Sequence, residues 1–140
     1  MAVKWSQAYA VYVPEIDAEH RELFRLAADL NQTILEGVDG EQLNRSVREL
    51  VAHTAGHFAH EERLMRAADY PGYAWHKRLH DSAKARIVRL ERGVRNEDPG
   101  AARQLADFIV EWMKEHTRLA DIMMGAHLRN HDRAHALAAS

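Results

Sequence analysis

Along most of this chain apolar residues recur at alternating steps of three and four, the spacing that lines one face of an α-helix. Asp39-Gly40, Tyr70-Pro71-Gly72 and Asp98-Pro99-Gly100 interrupt the pattern, because glycine and proline are the residues that end helices. The pattern predicts four helices, at about 17–37, 41–69, 72–95 and 99–125. Asp17 is suited to cap the first, and Pro99 falls near the start of the fourth, where its missing N–H costs nothing. Short connections between long helices favour antiparallel neighbours. The expected fold is therefore all-α, an antiparallel up-down-up-down four-helix bundle in a single domain of residues 1–140, with an N-terminal arm (1–16), a bundle (about 17–125) and a short C-terminal tail (126–140).

The inward seams can be written out. The first helix offers Ile16, His20, Leu23, Ala27, Leu30 and Ile34, and the second Leu43, Val47, Leu50, Thr54, His57, Glu61, Leu64 and Ala68. The third offers Tyr73, His76, His80, Ala83, Ile87, Leu90 and Val94, and the fourth Ala102, Leu105, Ile109, Trp112, His116, Leu119 and Met123. Every predicted helix thus carries histidine on its inner face. Burying five imidazoles and a carboxylate without partners costs several kcal/mol, a large fraction of the roughly 5–15 kcal/mol by which a domain is stable. These groups must satisfy one another or a metal.

Composition narrows the chemistry. Ten of the 140 residues are histidine and none is cysteine, so any metal is held by nitrogen and oxygen. A formal net charge of −2 with interspersed signs supplies no field for phosphate-backbone binding, so no nucleic-acid partner is expected. No apolar run approaches the roughly 20 residues that span a bilayer, and Met1 to Val13 lacks the apolar block of a signal peptide. The expectation is a cytoplasmic protein without a membrane partner.

His57 with Glu61, and His76 with His80, are four residues apart, one helical turn. His116 and Asp121 are five apart, which in an ideal helix turns Asp121 about 140° from the seam; a π-type turn would bring it in. Five histidines and two carboxylates exceed the six positions of one octahedral ion, which implies two metals. If both carboxylates bridge and a solvent-derived oxygen bridges as well, three histidines complete six ligands on one ion and two histidines give five on the other. One position then stays open for a small molecule. Nitrogen-rich ligation suits iron better than magnesium or calcium, with zinc open on ligand type.

The order His, H-x-x-x-E, H-x-x-x-H, H-x-x-x-x-D, carried by His20, His57, Glu61, His76, His80, His116 and Asp121, resembles the hemerythrin family, including its bacterial single-domain members. Further matches are Trp5, Ile16-Asp17, Phe58, Glu62, Met65, Tyr70-Pro71 and Trp112. The resemblance implies a non-haem pair of Fe ions with an oxo or hydroxo bridge, His76, His80 and His116 on one iron, His20 and His57 on the other, and Glu61 and Asp121 bridging. It implies reversible binding of dioxygen, or of another small diatomic or peroxide ligand, at the two-histidine iron. Oxygen carriage, storage or sensing would follow, sensing through a separate redox or signalling partner. One departure bears on reversibility. Where the family usually has bulky aliphatic residues beside the site, this chain has Met113 and Thr117, so a hydroxyl either faces the oxygen pocket or bonds to the backbone carbonyl one turn back.

The alternatives are a di-iron peroxidase or peroxide scavenger and, on His57, His80-Asp81 and Asp121, an HD-type metal-dependent phosphohydrolase that leaves His20, Glu61, His76 and His116 unexplained. A ferritin-like site needs Glu three residues before His, and none of the ten histidines has it. H-E-x-x-H fails at Leu64. His53 and His60 miss the seam and are expected exposed or in a helix contact, and His127, His131 and His135 are expected on a solvated tail.

Overall fold

The computed structural model describes residues 4–139; Met1–Val3 of the expected arm and Ser140 of the expected tail lie outside them. After a 3-10 turn at Gln7–Tyr9 come α1 (Pro14–Leu35), α2 (Gly40–Ala67), α3 (Tyr73–Arg95) and α4 (Ala101–His116). A π turn at Thr117–Asp121 leads without a break into α5 (Ile122–Ala139). The pairs α1/α2, α2/α3, α3/α4 and α4/α1 pack in a closed ring, the arrangement of an up-down-up-down bundle. None of the described helices is long and apolar enough to cross a membrane.

The helix starts differ from expectation for local reasons. Pro14 opens α1 at its first turn, where its fixed φ suits the helix. Asp17 is therefore inside the helix, and it accepts from Val11 N–H at 2.9 Å and Tyr12 N–H at 3.1 Å instead of capping. Those two bonds hold the arm while Tyr12 takes a left-handed φ of 61°. Gly100, at φ 79°, turns the chain into α4, leaving Pro99 outside it.

The fourth seam is corrected beyond His116. Leu119 and Met123, expected inside, are 60% and 46% exposed, while Ala120, Asp121 and Met124 are buried. A π turn takes up one extra residue and so moves the inward face on by one position. The expected tail is helical as well. Leu128 is buried, His127 Nε2 donates to the Ala68 carbonyl at 2.7 Å, and the Arg129 guanidinium donates to the Val11 carbonyl. His127 is thus a docking residue rather than a solvated one, while His135 is exposed. Gly125 has no substitute here, since a Cβ would lie 2.7 Å from the Val11 carbonyl oxygen.

Two apolar clusters result. The larger, with Leu23, Leu30, Leu50, Ile87, Leu105, Ile109 and Met113, fills the half toward the α1/α2 and α3/α4 connections. The smaller joins the arm and the start of α1 to the end of α2 and the start of α5 through Val11, Ile16, Met65, Met124 and Leu128. Burial of each such large side chain contributes about 1.5–3 kcal/mol. Between the clusters, on every helix of the bundle, lies the polar layer: His20 between Ile16 and Leu23, His57 and Glu61 between Leu50 and Met65, and His116 and Asp121 between Met113 and Met124.

Candidate metal centre

All seven side chains predicted to ligate come together in that layer, each 5% exposed or less. They form two adjoining groups whose ligand atoms lie within 4.8 Å of one another: Glu61, His76, His80, His116 and Asp121 in one, His20, His57, Glu61 and Asp121 in the other. Both groups share the two carboxylates, and each carboxylate divides its oxygens between them. Glu61 Oε1 lies 3.0 Å from His80 Nε2 and 3.3 Å from His76 Nε2, while its Oε2 lies 3.1 Å from His57 Nε2 and 3.5 Å from His20 Nε2. Asp121 Oδ1 lies 3.0 Å from His116 Nε2 and 3.1 Å from His76 Nε2, while its Oδ2 lies 3.2 Å from His20 Nε2. The π turn is what permits this, because it swings Asp121, five residues after His116, onto the same face as the histidine.

The donor set fits metal ions. His20 and His57 bring their Nε2 atoms to 3.0 Å, as do His76 and His116. Metal–nitrogen bonds of about 2.1 Å at right angles separate neighbouring nitrogens by about 3 Å, so these pairs have the spacing of adjacent ligands. Buried Glu61 Oε2, His80 Nε2 and both Asp121 oxygens meet their close neighbours without the geometry of a hydrogen bond, a costly condition unless a cation lies between them.

The electrostatics of the layer point the same way. Burial pushes the Glu61 and Asp121 carboxyls up, but the surrounding imidazoles outweigh it and hold both below the usual carboxylate range. Burial opposes charge on His57 and His76, yet the carboxylates raise them to about 10 and about 9. Two buried anions thus draw positive charge, which protons supply when ions do not.

The rings are held from behind. Phe58 stacks on His80 at 4.2 Å and 8°, Trp112 stacks on His116 at 4.1 Å and 16°, and the two aromatics meet edge-on at 5.0 Å. Glu62 Oε2 accepts from His80 Nδ1 at 2.9 Å. Glu19 accepts from His57 Nδ1 at 2.7 Å and from His60 Nδ1 at 2.6 Å. The bonds from His80 and His57 Nδ1 free the Nε2 lone pair of each ring for a metal. Sequence reasoning missed these two roles. Glu62 was visible only as part of the resemblance, and Glu19, about 100° around the helix from His20, carries no periodic signal.

Of the two residues expected to line an oxygen pocket, Met113 is buried in the larger cluster and Thr117 is 2% exposed. The Thr117 hydroxyl has no hydrogen-bond partner, so the backbone bond one turn back is not made. His53 is exposed and His60 is in a helix contact with α1. Asp81, which a phosphohydrolase site would need, is an exposed surface acid paired with Lys77 at 2.8 Å, outside both groups.

The family model described as the hemerythrin HHE cation binding domain matches residues 11–137. The chain is 29% identical to a bacteriohemerythrin of Ralstonia nicotianae, covering 87% of this chain and 85% of that protein. It is 30% identical to a hemerythrin subunit from Sipunculus nudus, covering 84% and 86%, and 29% identical to a bacteriohemerythrin of Stenotrophomonas maltophilia, covering 94% and 87%.

Proposed function

The chain belongs to the hemerythrin family, and from that premise and its own side chains we propose that it holds two iron ions and binds dioxygen for carriage or storage. The observation that carries the reading is the division of each carboxylate's oxygens between the two histidine groups. Two chelating carboxylates would each turn both oxygens to one ion; these two serve both. In this reading His76, His80 and His116 would hold one iron, His20 and His57 the other, and Glu61 and Asp121 would be shared by both. When bound, the iron pair supplies two reducing electrons and an open position for dioxygen.

The protein's own residues supply the surroundings. Phe58 and Trp112 fix the ring planes of His80 and His116. The clusters around Met113 on one side and Ile16, Met65 and Met124 on the other exclude water from the layer. Thr117 is the polar exception in the proposed oxygen pocket, with a buried hydroxyl that lacks a partner. That hydroxyl also favours a second reading, reduction of peroxide at the same pair, which steady-state peroxide consumption with an electron donor separates from carriage.

Metal analysis with optical spectra recorded without oxygen, in air, and after oxygen is removed tests the proposal. The expected result is two irons per chain, absorption of a bridged ferric pair in air, and return of the first spectrum. Fewer than two irons, or no such absorption, rejects the iron pair. A spectrum that changes and never returns rejects carriage.

A further inference from the structure

We propose that Glu19 is a positioning residue for the two-histidine ion and that His60 acts on that ion through Glu19. The inference rests on the iron-pair reading above. Glu19 uses both oxygens at once: Oε1 accepts from His57 Nδ1 at 2.7 Å and Oε2 from His60 Nδ1 at 2.6 Å, lengths typical of bonds to an ionised acceptor. With Nδ1 committed to donation, His57 presents the Nε2 lone pair toward Glu61 Oε2 and His20, the tautomer that a metal requires. A carboxylate behind an imidazole also makes it a stronger ligand.

The two halves of the centre differ in how this support is built. In the three-histidine half, Glu62 supports His80 from a buried position. In the two-histidine half, His20 Nδ1 is buried without a partner, so Glu19 is the one carboxylate among the described residues that supports a histidine there. The Glu19 side chain is one-third exposed and lines a cleft of about 410 Å³ with Ala52, His53, Gly56 and His57. An exposed carboxylate on one bond rotates; the second bond, to His60, removes that freedom. His60 is itself flanked by Glu15, 3.8 Å from its Nε2. His57, Glu19 and His60 thus form a chain from the ion to the surface on the side proposed to bind dioxygen.

Anaerobic iron(II) titration against a chromophoric chelator, with the midpoint potential of the loaded protein, tests the assignment. Glu19→Ala is expected to weaken one of two binding steps about 10–100-fold and to spare the other. Glu19→Gln keeps an acceptor and loses the charge, so two irons are retained and the midpoint potential rises. The exposed Glu111→Gln controls for net charge. His60→Ala is expected to weaken the same step less, and to have no effect in a Glu19→Ala background. Two unchanged steps in Glu19→Ala, an unchanged potential in Glu19→Gln, or an undiminished His60→Ala effect without Glu19 each overturn the proposal. If Glu19→Ala loses its helical circular dichroism, the near-isosteric Glu19→Gln decides it by potential. Fewer than two irons in the unaltered protein reject the iron-pair reading instead.

Discussion

Thr117 is the residue where the proposed oxygen pocket departs most from an apolar lining. A buried hydroxyl without a partner costs about 1–3 kcal/mol, and Thr117 Oγ1 is in that condition. Thr117→Val removes the hydroxyl at nearly constant volume and is expected to stabilise the protein by about 1 kcal/mol in chemical denaturation. Thr117→Ile removes it and fills the space with apolar atoms. It is expected to slow autoxidation of the oxygenated protein several-fold in stopped-flow spectroscopy; an unchanged or faster rate would remove the hydroxyl from the account of the pocket. The ligands were legible at this scale because a buried histidine or carboxylate on an apolar seam is expensive and therefore conspicuous. Glu19 and Glu62 were not, since an acid beside a seam reads as an ordinary surface charge until its partner across the bundle is known.

Among the elements, the π turn at Thr117–Asp121 decides most. It places the carboxylate of H-x-x-x-x-D beside the histidine and re-phases everything after it, so that Ala120 and Met124 replace Leu119 and Met123 on the inner face. Leu119→Gln is accordingly expected to change unfolding free energy by less than about 0.5 kcal/mol. Met124→Ala is expected to cost about 2–5 kcal/mol. A helix that stayed in α phase would reverse that order, so urea unfolding of the two variants tests the turn directly. The first three helices were legible from apolar spacing because nothing interrupts their period. The fourth was legible only to His116, because a single inserted residue leaves no mark in composition. The His116–Asp121 spacing was the one hint of it.

Across the whole molecule, the charged layer lies between two apolar clusters, one closed by the bundle's own helices and one by the arm and α5. The larger cluster should fold independently of metal. Leu30→Ala, within it, is expected to cost about 2–5 kcal/mol and to leave iron content per folded chain unchanged. Removing metal by chelation is expected to lower the melting temperature in calorimetry, because ions that bind only the folded state stabilise it and the layer otherwise holds two buried carboxylates with oxygens that make no hydrogen bond. An unchanged melting temperature would mean the layer is already satisfied without ions. By itself the sequence determined the helical bundle, its three breaks, the seven residues of the layer and the family they resemble, since periodicity and the cost of burying polar groups are local properties of the chain. Only the tertiary structure decided how each carboxylate divides between the two groups, which acids hold the histidines from behind, and that the helix running to Ala139 docks through His127, Leu128 and Arg129. Those features depend on which side chains from distant segments face each other, and spacing along the chain carries no record of that.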